Sequence, residues 1–305
     1  MSKYLIIGKN GQVGRALNNK IGDDTADYFG RNELDLTDIK NIYPKLEKYS
    51  NDNVKIIINA AAYTAVDKAE DEYEVADLVN HLAVKEIARF CDDHDVILIH
   101  YSTDYVFDGT GHQAWLPHDK TNPINKYGLS KLHGEQAIEK LCKKYLIFRT
   151  SWVYDATGSN FVNTIIRLLQ EKPELSIIAD QKGLPSYAGD IATATLSAID
   201  GITNNINKIN NFPSGIYHLT GSGKPISWYD FANNIFELTK QYSKLNLKTD
   251  KIIPISSTEY ITKATRPTNS WLDCSKTYDI LNARMPDWQI SLDKMLKQKF
   301  YSVNA

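Results

Sequence analysis

Tyr4-Leu5-Ile6-Ile7-Gly8-Lys9-Asn10-Gly11-Gln12-Val13-Gly14 is the stretch that decides the fold. Four apolar residues read as a buried strand, and the glycines that follow open a helix near residues 12–20, the context that a dinucleotide pyrophosphate site requires. Glycine allows a tight turn and close backbone approach, while the first amides of a helix attract phosphate. The spacing is Gly-x-x-Gly-x-x-Gly instead of the commoner Gly-x-Gly-x-x-Gly, so taken alone the stretch fits a plain glycine-rich turn equally well.

Working outward, short β-branched runs alternate with longer amphipathic stretches. Strands are expected at Tyr4–Ile7, Ala26–Phe29, Lys55–Ile58, Val96–His100, Tyr145–Phe148, Ser176–Ala179 and Ile216–Leu219. Helices are expected near 12–20, 38–49, 72–91, 127–141 and 160–170. This alternation predicts an α/β fold, a Rossmann-type doubly wound parallel sheet. After about residue 155 the regularity weakens, as Pro173, Pro185, Pro213, Pro225, Pro254, Pro267 and Pro286 punctuate the chain. A smaller, mixed α+β substrate domain is expected there: residues 1–155 and about 187–222 form the cofactor domain, and about 156–186 and 223–305 the substrate domain. The polar run Thr203–Asn211 reads as a surface loop.

Composition narrows the function class. In 305 residues, 35 basic side chains face 37 acidic ones, which offers no basic excess for nucleic acid. No apolar run approaches a membrane span or a signal-peptide core. Cys91, Cys142 and Cys274 are odd in number and widely spaced, the pattern of reduced thiols in a cytoplasmic protein.

Beyond the opening motif, the second strand ends Gly30-Arg31. An arginine there accommodates a 2′-phosphate, which points to NADPH with NADH as the alternative; Arg31 as a solvated surface charge is the competing reading. The third strand runs into Asn59-Ala60-Ala61-Ala62-Tyr63, small side chains that let a flat cofactor approach and that core packing explains as well. The cofactor candidates are Gly8, Asn10, Gly11, Gln12, Val13, Gly14, Arg31, Asp35, Leu36, Ala60, Ala61, Ala62, Tyr63, Tyr101, Tyr127 and Lys131.

Tyr127-Gly128-Leu129-Ser130-Lys131 places a phenol and an amine on one helical face. Such a pair arises by chance in a chain with 18 tyrosines, so its placement in the helix after the Ser102-Thr103-Asp104 strand end carries the weight. A carbonyl that accepts hydride develops negative charge and needs a proton. Tyr127 is the expected donor, Lys131 the charge that brings its pKa down toward neutrality, and Thr103 a further hydrogen bond to the same oxygen.

These residues resemble the extended short-chain dehydrogenase/reductases, and within them the dTDP-4-dehydrorhamnose reductases. The resemblance spans essentially the whole chain. It rests on Gly8 to Gly14, Asn59 to Ala62, Ala65-Val66-Asp67-Lys68-Ala69-Glu70, Ser102 to Phe107, Tyr127 to Lys131, Arg149 to Tyr154, Asp180 to Ser186 and Arg266-Pro267-Thr268-Asn269-Ser270. It implies NADPH-dependent reduction at C4 of dTDP-4-dehydro-L-rhamnose, with Thr103, Tyr127 and Lys131 as the catalytic set. Asp104 and Trp152 would face the sugar, and Arg266 the diphosphate, where a surface salt bridge is the alternative. Some members associate with magnesium through two glutamates at a subunit contact; Asp190 and Gln289 stand at the matching positions, and losing one carboxylate weakens such a site. The seven histidines show no metal-ligand spacing, and no catalytic metal is expected. A homodimer follows from the resemblance and from the frequency of twofold oligomers. Two readings compete: another extended short-chain nucleotide-sugar epimerase or dehydratase, and a binding protein like the regulatory subunit of methionine adenosyltransferase.

Overall fold

The computed structural model describes residues 4–50, 54–205 and 212–301. Its centre is a six-stranded parallel sheet. β1 (Tyr4–Ile7), β2 (Ala26–Phe29), β3 (Ile56–Asn59), β4 (Ile97–Thr103) and β5 (Tyr145–Thr150) are joined at one edge by Gly215–His218, in the order β2, β1, β3, β4, β5, 215–218. Because the chain moves outward from β1 to β2 and then crosses back to β3, the loops leaving β1 and β3 diverge. A crevice opens between them at the carboxyl ends, where open α/β sheets bind ligands.

Alternation along each strand builds two cores. Tyr4, Ile6, Ile56, Ile58, Ile99 and Phe148 face the helices Gln12–Ile21 and Ala188–Asn205. Leu5, Ile7, Ile57, Leu98 and Ile147 face Ile39–Ser50 and Ala83–Asp93 on the other side. With both faces covered, the strands read as nearly continuous apolar runs.

A third core lies outside the sheet, where the helices Phe161–Glu171, Trp228–Tyr242 and Trp288–Tyr301 pack around Leu175, Phe231 and Trp288. The strand expected at 176–179 spans Glu174–Ile178, and it pairs in parallel with Lys251–Ile255 apart from the main sheet. Prolines do not break the late chain as thoroughly as its sequence suggests. Pro225 and Pro286 lie just ahead of the last two of these helices, and Ser227 caps the first of them with a reciprocal Asp230 bond. Thr203 to Asn205, expected to begin a loop, close the helix Ala188–Asn205, and 206–211 lie outside the described residues. Among the described residues no helix is long and apolar enough to cross a membrane.

Candidate active site

The crevice begins at Gly8, whose φ of +96° belongs to glycine. A Cβ there would stand 2.6 Å from the Ala61 amide nitrogen, and one on Gly14 would stand 2.1 Å from the Gly8 carbonyl, so both positions exclude side chains. The helix that follows has Gly11 as its N-cap with no side-chain cap, which leaves its first amides to face the crevice. Asn10 is held through its carbonyl by Arg15 (2.6 Å), Gln12 meets Asn160 and the Val153 carbonyl, and Val13 packs on the sheet. Arg31, Asp35, Leu36, Ala61, Ala62 and Tyr63 line a cavity of about 410 Å³ with Gly8 at its floor. Ala60 continues from β3, and its amide donates to the Ile7 carbonyl (2.9 Å). Arg31 is largely exposed and lies 3.5 Å from the Asp35 carboxylate. A bare glycine cradle, an uncapped helix start and a flanking cationic side chain fit the pyrophosphate and phosphorylated ribose of NADP(H).

Tyr63 is fixed from two sides. Its backbone bonds the Asn80 amide at both N–H and C=O, and its hydroxyl donates to Glu72 (2.6 Å), which pushes the phenol up to about 12. Tyr101 gives the site its carbonyl only. Its ring turns into the sheet core, where the hydroxyl meets Thr195 at 2.7 Å.

Thr103 ends β4, and Tyr127 and Lys131 lie in the helix Lys126–Leu141, whose start is capped by Asn125. Burial raises the pKa of the half-buried Tyr127 phenol most, the neighbouring Thr103 side chain opposes it, and the Asp104 charge raises it further. The lowering expected from Lys131 is not what sets it in this state. The buried Lys131 amine is committed to the Tyr101 carbonyl (2.6 Å) and to His100 Nε2 (3.1 Å). Burial depresses its own pKa to about 8, against an opposing pull from Glu135.

Asp104 is buried beside Thr103, which donates to it at 3.1 Å, and its Oδ2 has no hydrogen-bond partner. Burial lifts the carboxyl to about 6, with Ser270 and Thr103 opposing. Trp152, with a φ of +49°, stacks on Trp228 at 3.5 Å between ring centroids. Backbone strain of this kind in a bulky residue marks a position held by its surroundings. Arg266 does form the salt bridge weighed as the alternative, to Asp67 at 2.7 Å. Its second guanidinium nitrogen, Nη1, is nonetheless buried and unpaired, and the side chain lines a cavity of about 590 Å³ with Tyr105, Phe161, Gln181 and Trp228. Another cavity, of about 600 Å³ around Leu219, Trp271 and Met285, contains none of the candidate residues.

The segment carrying Arg266 lies along the loop after β4. Asn269 N–H bonds the Gly109 carbonyl (2.9 Å), and Trp115 exchanges backbone bonds with Trp271 and Asp273 (2.8 and 2.9 Å). Sequence reasoning missed Asp67 as the holder of Arg266, His100 as the partner of Lys131, and Trp228 as the platform for Trp152. Only Asp67 carried a signal, as part of a quoted motif.

The magnesium positions do not fit the ion. Asp190 is buried and accepts from the Ser291 hydroxyl (2.6 Å), while Gln289 is exposed and neutral. Beyond what spacing along the chain can show, Asp77 and His81 are joined by His133 from another helix, with their ligand atoms within 4.8 Å of one another. That grouping is tertiary.

Sheet order, glycine cradle and the Thr103, Tyr127, Lys131 cluster define an extended short-chain dehydrogenase/reductase, an oxidoreductase that works with a nicotinamide dinucleotide. The family model described as RmlD substrate binding domain matches residues 2–300. The chain is 41% identical to the dTDP-4-dehydrorhamnose reductase of Escherichia coli (strain K12), with 97% of each chain covered. It therefore belongs to the dTDP-4-dehydrorhamnose reductase family. Among solved structures it superposes on the dTDP-4-dehydrorhamnose reductase of Clostridium acetobutylicum with a TM-score of 0.84, at 32% identity and covering 96% of this chain and 98% of that one. The Bacillus anthracis reductase, solved in complex with NADP, gives 0.83 at 32% identity, covering 97% and 99%.

Proposed function

We propose that this chain reduces the C4 keto group of dTDP-4-dehydro-L-rhamnose to give dTDP-L-rhamnose, using NADPH. The observation that carries this reading is the placement of the Tyr127 phenol, the Thr103 hydroxyl and the buried Lys131 amine about the end of β4, with Tyr127 packed on Tyr105 of the cavity that Arg266 lines.

The cofactor, when bound, supplies the hydride. Gly8, Gly11, Gly14 and the first amides of the helix after them would hold its pyrophosphate, and Arg31 its 2′-phosphate. Burial keeps Tyr127 protonated, which is the form a donor to the developing alkoxide must have. Thr103, beside that phenol, would turn its one hydroxyl proton from Asp104 to the carbonyl oxygen, orienting it and sharing its charge. Two protons of the Lys131 ammonium are taken by Tyr101 and His100, which leaves the third for the nicotinamide ribose. Asp104, with one oxygen unpaired in a dry setting, would bind a sugar hydroxyl, and Trp152 would close over the ring. Arg266 Nη1 would take the diphosphate while Asp67 fixes Nη2. The division into a cofactor domain and a substrate domain, cytoplasmic action and a homodimer belong to the same proposal.

The test is NADPH oxidation with dTDP-4-dehydro-L-rhamnose beside other 4-keto nucleotide sugars. Equimolar formation of dTDP-L-rhamnose supports the assignment. Turnover of another sugar alone would overturn the substrate, and binding without turnover of any would overturn the enzyme.

A further inference from the structure

We infer that Asp77, His81 and His133 form a binding site for one Zn²⁺ ion, separate from the Gly8 crevice and the Thr103, Tyr127, Lys131 cluster. Asp77 closes the short helix Tyr73–Asp77, and His81 lies in the π-helical turn Leu78–Leu82 that continues it. His133 comes from the helix Lys126–Leu141 packed alongside. The wider π turn is a common device for re-aiming side chains at a site.

The distances favour a metal over a purely hydrogen-bonded cluster. Asp77 Oδ1 lies 3.1 Å from His81 Nδ1 and 3.5 Å from His133 Nδ1. The Tyr73 hydroxyl oxygen lies 3.4 Å from both Asp77 Oδ1 and His133 Nδ1. Only the first of these four separations falls within the ordinary hydrogen-bond range, which ends at about 3.2 Å. Bonds of about 2.0–2.1 Å from zinc to nitrogen and oxygen, arranged tetrahedrally, place neighbouring ligand atoms roughly 3.3–3.4 Å apart. The four separations scatter around that edge length, and the two histidine nitrogens lie within 4.8 Å of each other. Two imidazoles and a carboxylate are an open three-ligand zinc set, with water or the Tyr73 oxygen as the fourth position.

The two elements are also held at fixed spacing before any ion arrives. A Cβ on Gly134 would stand 2.1 Å from the Asn80 carbonyl, so helix and turn touch backbone to backbone next to His133. The Asn80 amide donates to the Ser130 hydroxyl at 3.0 Å across the same junction. Little reorganisation separates this arrangement from a coordinated one, and a bound ion would cross-link the turn to the helix.

The experiment is isothermal titration of tag-free, chelator-stripped full-length protein with zinc chloride near neutral pH, beside His133→Ala and Asp77→Asn. A single saturable site, weakened about tenfold or more in each variant, is the expected result. Zinc should also raise the melting temperature of the parent and not of the variants, whose melts without zinc show that they fold. With cobalt in place of zinc, the parent should acquire the visible absorption of a tetrahedral Co²⁺ centre. Absence of saturable binding, or saturable binding unchanged in both variants, would overturn the site.

Discussion

The Lys131 amine nitrogen sits 3.1 Å from Nε2 of His100, a fully buried ring whose other nitrogen is 3.2 Å from the Asn59 side-chain amide nitrogen. The Asn59 amide cannot turn over freely, because its oxygen accepts the Ala61 N–H at 3.1 Å. Burial, and then the Lys131 charge, keep the imidazole neutral, so it carries one N–H and faces a donor at each nitrogen. When Lys131 is charged, Nε2 must accept and Nδ1–H is left against Asn59. When Lys131 is neutral, Nδ1 can accept from Asn59 while Nε2–H donates to the amine. The tautomer of His100 and the charge of Lys131 are thereby tied.

Lys131→Met is expected to impair turnover and to make the stability difference from the parent depend on pH. The amine titrates at about 8 in the folded chain and near ~10.4 unfolded, so the folded state disfavours the ammonium. That cost is fully present below about pH 8 and fades as pH rises through the unfolded value. In urea denaturation the difference between variant and parent should therefore move in the variant's favour by about 1–3 kcal/mol from pH 10 down to neutral pH, together with reduced turnover. A stability difference that stays the same from neutral pH to pH 10 would contradict this account.

Asp104→Asn tests the buried carboxyl with the opposite sign of charge. Its folded pKa of about 6 exceeds the unfolded value of ~3.9, so the charged form is penalised above pH 6, and nothing is penalised below pH 4. The amide keeps an acceptor for Thr103. Thermal melts should show the variant ahead by roughly 1–3 kcal/mol near pH 8 and level near pH 4. An equal difference at both pH values would remove titration as its cause.

Tyr127→Phe deletes one hydroxyl and keeps the ring. Nucleotide-sugar binding should survive, and turnover should fall by roughly 10²-fold or more. Steady-state kinetics with turnover near that of the parent would displace Tyr127 as the donor.

Arg31→Ala should raise the KM for NADPH far more than that for NADH, because only the former carries the phosphate that the arginine would meet. The side chain is 79% exposed, so stability should change by less than about 0.5 kcal/mol. Equal losses with both cofactors would leave Arg31 a surface charge.

Strand and glycine patterns were legible because β1, the cradle and the first helix are consecutive, and local sterics leave few other conformations. Tyr127 and Lys131 were legible because four residues make one helical turn. His100 was not: a lone histidine in an apolar strand reads as packing until Lys131 is seen against it. Arg266 and Asp67 stand 199 residues apart, and only the folded chain brings them together. The late helices were obscured by prolines that lie at their margins, and Trp152 on Trp228 is a contact between two elements with no shared period.

The backbone bonds between Gly109 and Asn269 and between Trp115 and Trp271 have a consequence in time. On a ribosome, Thr103 and Tyr127 emerge early, whereas the strand segment that braces their loop follows roughly 150 residues later, on the order of 10 s at about 5–20 residues per second. Throughout that interval Tyr127 stands beside an unfinished wall. The wall beside Thr103 and Tyr127 is therefore completed late, when residues near 270 close onto the loop, and a prematurely released polypeptide would keep the Gly8 cradle without it.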